Sequence, residues 1–278
     1  MSQVSPSHDP QVANPQELDR LLRLNRFLNQ ECLDRLGLKP GERVLEVGSG
    51  LGLFARGMAR TVGGTPPVVC VEYNEGRIYR SLELAASDGE ESLIDMRQGD
   101  LYSLPLREEE FGTFDLVHCR FVMSRVSHPQ RAIETLMPAL RPGGRMVLMD
   151  DDNDLLRLWP SMPAVDELWR ALVRGVVDRG RDPFVGRKLS SMMQVAGLQL
   201  SRNGCLFGGG NAGTDGWEFV TDNIIDVLRA ARESILASTA ITGELFDEVL
   251  GTLVTWSQRP DSALWYPICW AEGIRPDS

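Results

Sequence analysis

The stretch Val44-Leu-Glu-Val-Gly-Ser-Gly-Leu-Gly52 constrains this chain more than any other. An apolar run ends in glycines at every second position, and Leu51 to Arg60 can continue as a helix with Leu53, Phe54, Met58 and Ala59 as its apolar positions. Val44, Leu45 and Val47 are the kind of residues that fill a parallel strand covered on both faces. Gly48 and Gly50 permit positive φ and a close approach of the main chain to a ligand. The first turn of the helix presents unpaired N–H groups and partial positive charge. The segment therefore reads as a buried strand turning tightly into a helix beside a nucleotide-type ligand.

The spacing is G-x-G-x-G, and position 53 is Leu, so no glycine stands where a dinucleotide fold uses one for close helix–strand packing. Glu46 also departs from the dinucleotide pattern, since a carboxylate two residues before the first glycine can receive the ammonium group of an amino-acid ligand. Val68-Val-Cys-Val71 is a second strand ending at Glu72, an acid placed to accept both ribose hydroxyls. Tyr73 can lie against a flat adenine ring. In Met96-Arg-Gln-Gly-Asp100-Leu101, Asp100 can accept from an adenine amino group and Leu101 offers a backbone N–H. Phe114-Asp-Leu-Val-His-Cys-Arg120 reads as a fourth strand, with Cys119 at its mouth placed to contribute its backbone to the ligand. Leu140-Arg-Pro-Gly-Gly-Arg-Met-Val-Leu-Met149 reads as a helix end, a Pro-Gly-Gly turn and a fifth strand.

On these motifs, in this order and at this spacing, residues 43–149 resemble the class I S-adenosylmethionine (SAM)-dependent methyltransferases. The resemblance extends to the bacterial small-molecule group of the ubiquinone/menaquinone type, through Arg120-Phe-Val-Met, His128-Pro129, Asp150-Asp-Asp152, Asp182-Pro-Phe-Val-Gly-Arg-Lys-Leu189 and Trp265-Tyr-Pro-Ile-Cys-Trp270. Arg125 stands where such sequences often carry histidine. The resemblance implies an α/β fold: a doubly wound, seven-stranded, mostly parallel Rossmann-like sheet, its last strand antiparallel. It implies SAM as cofactor, bound by Glu46, Gly48, Ser49, Gly50, Gly52, Glu72, Tyr73, Asp100, Leu101 and Cys119.

With 278 residues, 42% of them hydrophobic, the chain can build one sizeable core or a core plus a cap. No apolar run approaches the roughly 20 residues of a membrane span, and Met1–Pro10 lacks an apolar signal region, so a cytoplasmic protein is expected. Residues 1–14 read as a disordered lead. Five scattered cysteines without C-x-x-C spacing read as reduced thiols. A net charge of −10 with no long basic run argues against nucleic acid as a partner.

Asn14-Pro15 is an N-cap and first helical position, and Leu18, Leu21, Leu22 and Leu28 recur at helical spacing. This helix either packs over the cofactor side of the sheet or faces solvent. Strands alternate with helices through 150, completing a core over 15–150. After 150 the pattern changes. Val165, Leu168, Trp169, Leu172, Val173 and Val176 define an amphipathic helix, with further helices near 186–196, 215–236 and 242–257. A sixth strand is expected at Leu198–Phe207 and a last at Leu264–Ile274. Gly208–Gly213 is a plain loop or the hinge of a lid. The remaining core thus occupies 151–278, with an inserted helical cap near 155–180 and 208–260. Trp159, Trp169 and Trp217 are candidate substrate residues in that cap, alongside Met162, Met192, Met193 and Phe219. Apolar surface on the cap helices also leaves room for a homodimer.

Methyl transfer from a sulfonium is an in-line displacement, so alignment and exclusion of water matter most. A base is useful when the acceptor is a hydroxyl or an unactivated carbon. Candidates are Asp151 and Asp152, which follow the fifth strand, and His128 in a Ser-His-Pro turn; His118 lies inside the fourth strand. Arg120 can pair with one of the aspartates or grip an anionic substrate. No metal is expected: Asp150-Asp-Asp-Asn153 lacks a further carboxylate after the fourth strand, where Arg120 stands, and Mg²⁺ needs oxygen ligands. Neither a Pro-Pro-Tyr-type motif nor a Pro-Cys nucleophile points to nucleic-acid methylation. The expected activity is transfer of a methyl group to the oxygen, carbon or nitrogen of a small organic acceptor. The alternatives are an NAD(P)-dependent oxidoreductase and a non-catalytic SAM-binding regulator.

Overall fold

The computed structural model describes residues 15–277; the disordered lead expected for residues 1–14 lies outside them. Helix α1 (Pro15–Leu36) leads into β1 (Val44–Val47), α2 (Leu53–Val62), β2 (Val68–Glu72), α3 (Glu75–Asp88), β3 (Ile94–Gln98) and β4 (Phe114–Arg120). Every residue of β1 and β2 is buried, which explains their unbroken apolar character: helices cover both faces of a parallel sheet. Asn74 caps α3 by accepting from the Arg77 N–H at 3.0 Å. The chain continues through α4 (Pro129–Leu136), β5 (Leu140–Asp151), β6 (Arg157–Trp159), α5 (Pro163–Asp178), α6 (Leu189–Val195), β7 (Gln199–Phe207) and β8 (Gly210–Asn211). It ends in α7 (Trp217–Ala230), α8 (Arg232–Ser238), α9 (Gly243–Ser257), β9 (Ala263–Trp265) and β10 (Pro267–Ile274).

Seven strands form one sheet in the order β3-β2-β1-β4-β5-β10-β7. The first five run parallel, and β10 pairs antiparallel with β5 and β7. This is the doubly wound, mostly parallel sheet expected. Alternate strand residues feed two cores. Leu45 and Val47 pack with Ile133 and Leu136 of α4 and with Leu189 and Met193 of α6. Val44, on the opposite face, packs with Leu28 and Leu36 of α1 and with Phe54 and Met58 of α2. The helix over the glycine-loop side is therefore α1, held to the sheet along its apolar stripe. A third cluster joins α5, α7, α8 and α9 around Leu168, Ile224, Leu228 and Phe246.

Several local expectations change. Pro142-Gly-Gly144 is an irregularity inside β5 rather than a turn before it, since the pairing moves from Phe114↔Leu140 to Leu116↔Arg145. The helix expected over 215–236 breaks at Ala231 into α7 and α8. Gly208–Gly213 is not a plain loop. Gly210 and Asn211 form β8, which joins β6 and β9 in a three-stranded sheet. The strand expected over Leu264–Ile274 is divided at Tyr266, because β9 belongs to this small sheet and β10 to the large one.

Candidate active site

The glycine turn sits at the C-terminal ends of β1 and β2, held by hydrogen bonds that depend on its shape. The Gly48 N–H donates to Val71 O at 2.7 Å and the Gly50 N–H to Glu72 Oε2 at 2.9 Å. Gly48 has φ +73°, and a Cβ there would lie 2.3 Å from Val122 Cγ2, so only glycine fits. Gly52 differs from its expected role. At φ +67° it begins α2, and a Cβ would meet Ser81 Oγ at 2.3 Å and touch Ile94 and Met96. It lies off the cavity wall and supplies the close packing that the spacing did not suggest.

A cavity of about 1100 Å³ opens beside the turn, and Glu46, Gly48, Ser49, Gly50, Glu72, Tyr73, Asp100 and Leu101 all line it. Glu46 is buried, with Oε2 lacking a partner among the described residues. Its Oε1 stands 3.4 Å from Nδ1 of His118, whose pKa burial holds below the usual range, keeping it neutral. A buried carboxylate beside a neutral imidazole is suited to a cationic ligand group. Arg120 lines the same wall. It pairs with neither Asp151 nor Asp152; its Nη2 donates to Asn25 Oδ1 at 2.8 Å and Asn29 Oδ1 at 3.0 Å, and it lies 4.4 Å from the Phe54 ring. Carboxylate and guanidinium together match the zwitterionic end of an amino acid.

Glu72 is oriented from two sides, accepting from the N–H groups of Gly50 and Asn74, both at 2.9 Å. Carboxylate oxygens hold about two acceptor sites each, so capacity remains for a vicinal diol. Asp100 Oδ1 accepts from the Tyr102 N–H at 2.9 Å. Cys119 does not reach the wall. It is buried within β4, paired with Val47, and the wall is formed by the next residues, Arg120, Phe121 and Val122. The chain turns there through Phe121, at φ +57°, a region non-glycine residues rarely adopt.

The three aspartates after β5 separate. Asp150 is buried and accepts from the Ser124 N–H at 3.1 Å and the Asp151 N–H at 2.9 Å, bracing the turn after β4. Asp151 lines the cavity, as does Tyr266. Burial and then the Asp150 carboxylate push the Asp151 pKa up to about 7, against the pull of the Tyr266 hydroxyl. Burial and the Asp151 charge push the Tyr266 phenol well above its usual value, so it stays a donor. Asp152 is not on the wall: it is buried and bound by the Arg187 guanidinium, a structural pair. His128 is not on the wall either. It is exposed at the start of α4, its N–H donating to the Tyr102 oxygen at 3.0 Å. Of the tryptophans, Trp169 lines the cavity, with Nε1 donating to Asn153 O at 2.7 Å. Trp159 is 69% exposed on the outside, and Trp217 is packed on Trp256 inside the helical cluster, its Nε1 donating to Ser257 O at 2.8 Å. Phe219 lines the cavity, whereas Met162, Met192 and Met193 pack in the cores.

Residues 19–202 match the family described as a methyltransferase domain. The chain belongs to this family. An uncharacterized 37.1 kDa protein in a transposon of Streptomyces fradiae is 30% identical over 179 residues, 63% of this chain and 48% of that protein. A ubiquinone/menaquinone biosynthesis C-methyltransferase of Ectopseudomonas mendocina is 28% identical over 127 residues, 46% of this chain and 48% of that enzyme. The chain thus spans about half the length of the curated relatives it matches. Among solved structures, phosphoethanolamine N-methyltransferase 2 of Haemonchus contortus superposes with a TM-score of 0.55 at 17% identity, over 89% of this chain and 52% of that one. The [4+2]-cyclase SpnF superposes at 0.56 and 15% identity, over 90% and 81%. These two share the fold.

In this methyltransferase-domain chain the residues that sequence reasoning missed are those brought in from distant segments. Tyr266 arrives from the break between β9 and β10 and Asn25 from α1, while Val220, Ile224 and Val227 of α7 supply an apolar wall. Tyr266 was legible only as part of the Trp-Tyr-Pro motif. Nothing in the spacing of Asn25 or Asn29 marks them as partners of Arg120. Among the described residues no group of three or more His, Cys, Asp or Glu side chains is placed to hold a metal, and no helix is long and apolar enough to cross a membrane.

Proposed function

We propose that the chain binds SAM at the glycine turn and transfers its methyl group to a small organic acceptor held in the same cavity. The single observation that carries this reading is the continuity of the cavity. One space of about 1100 Å³ is lined both by the glycine turn, Glu46 and Glu72 and by Trp169, α7 and Tyr266. Ligand pockets of roughly 300–1000 Å³ hold one drug-sized molecule, so there is room for a donor and an acceptor end to end.

The residues fit SAM on their own geometry. The unpartnered Glu46 Oε2 suits the ammonium, Arg120 the carboxylate, Glu72 the ribose diol, and Tyr73, Asp100 and Leu101 the adenine. Bound there, SAM supplies a methyl group already activated by the sulfonium charge. The chain's own work is to align the acceptor, which falls to α5 and α7 as a cap, and to exclude water. Where the acceptor must lose a proton, Asp151 takes it, with Tyr266 holding the carboxylate in place. A carboxyl with a pKa near 7 is matched to that task at neutral pH.

Calorimetric titration with SAM and NADH tests the reading. SAM is expected to bind and NADH not; NADH binding without SAM overturns it in favour of an oxidoreductase. Glu72→Ala is expected to weaken SAM binding by at least tenfold, because the ribose contacts are lost and the Gly50 N–H loses its acceptor. Unchanged affinity would place the ribose elsewhere.

A further inference from the structure

The cavity wall is rich in arginine beyond what methyl transfer requires. Arg20, Arg77, Arg125, Arg179 and Arg181 all line it, from α1, α3, the turn after β4 and the segment after α5. Glu46, Glu72, Asp100 and Asp151 are the carboxylates that share the wall with them. Arg125, Arg179 and Arg181 have no carboxylate within 4 Å among the described residues. Arg125 spends only its Nε, donated to Phe121 O at 3.1 Å, and Arg179 meets the neutral Ser234 hydroxyl at 3.2 Å. Arg20 is steadied by Asn223 of α7 at 2.9 Å.

Guanidiniums that line one cavity without carboxylate partners offer donors to an anion. An arginine fork binds carboxylate or phosphate bidentately. On the reading of the cavity as donor plus acceptor site, we infer that the acceptor is an amphiphilic anion. Its carboxylate or phosphate is gripped by Arg125 and Arg181, and its apolar body lies against Val220, Ile224 and Val227 of α7.

The test is calorimetry on the full chain saturated with S-adenosylhomocysteine. The probes are benzoate against benzamide and phenyl phosphate against phenol. Each anion is expected to bind at least tenfold more tightly than its neutral counterpart, and the tighter of the two anions identifies the acceptor group. Arg125→Gln and Arg181→Gln are each expected to reduce that preference about tenfold, with Arg125→Lys retaining part of it and the outlying Arg259→Gln all of it. Binding of S-adenosylhomocysteine by each variant reports that it is folded. Equal affinity for anion and neutral probe, survival of the preference in the double glutamine variant, or binding of none of the four probes overturns the inference. Loss of S-adenosylhomocysteine binding in the unaltered protein with the anion preference intact would sink the donor-site reading instead and leave the anion site standing.

Discussion

Asp151 shows how one position acquires chemistry from neighbours that the sequence does not place beside it. Asp150, Asp151 and Asp152 are alike on paper. In the fold the first braces a turn, the second faces the cavity and the third is neutralised by Arg187. The raised pKa of Asp151 has a measurable consequence for stability. An unfolded aspartate titrates near 3.9, whereas Asp151 in the folded chain titrates at about 7. The native state therefore keeps a proton that the unfolded state releases, and stability falls as pH rises from roughly 4 to 7. Asp150, raised by burial, acts in the same direction. Asp151→Asn removes one such group. Its melting temperature relative to the unaltered chain is expected to climb across that window, by roughly 2–4 °C for each kcal/mol recovered. A difference flat with pH, followed by scanning calorimetry, would mean that Asp151 ionises normally.

At the scale of elements, the strand–turn–helix unit of β1 and α2 was readable because its glycines are required by backbone geometry and its apolar run by burial on both faces. The role of Gly52 was not readable, since the surface it packs on comes from α3 and β3. Ser81 is fully buried and its hydroxyl has no partner among the described residues. Gly52→Ala is expected to cost about 2–4 kcal/mol in urea denaturation, combining the left-handed φ penalty of roughly 1–2 kcal/mol with overlap on Ser81. Adding Ser81→Ala is expected to recover the overlap part and leave the φ part. Strict additivity of the two substitutions would show that the side chains do not meet. The break of the last strand at Tyr266 was equally hidden: Leu264–Ile274 is one apolar run, and only pairing with two different sheets divides it.

For the whole molecule, the sheet with its two cores and the helical cluster of α5 and α7–α9 are distinct packing units that meet along the cavity. Phe27 of α1 lies 4.9 Å from Phe219 of α7, and Arg23 bonds Asp222, so α1 ties the helices back to the sheet. Phe246→Ala, in the centre of the cluster, is expected to cost about 3–5 kcal/mol. Hydrogen exchange should rise in α7 and α9 first, with S-adenosylhomocysteine affinity changing less than threefold while the chain stays folded. Equal loss of protection across β1 and β4 would show that the two units unfold as one.

The sequence by itself determined the parallel sheet, the turn at 48–52 and the acids at 46, 72 and 100, because these obey local rules: strand burial, positive φ and spacing along one chain. Only the tertiary structure decided which aspartate faces the cavity, that Cys119, His128, Asp152, Trp159 and Trp217 lie away from it, and that Arg20, Arg77, Arg125, Arg179 and Arg181 line it. The physical reason is that a cavity wall is assembled from segments far apart in the chain, and no periodicity within one segment encodes which side chains from the others will stand opposite it.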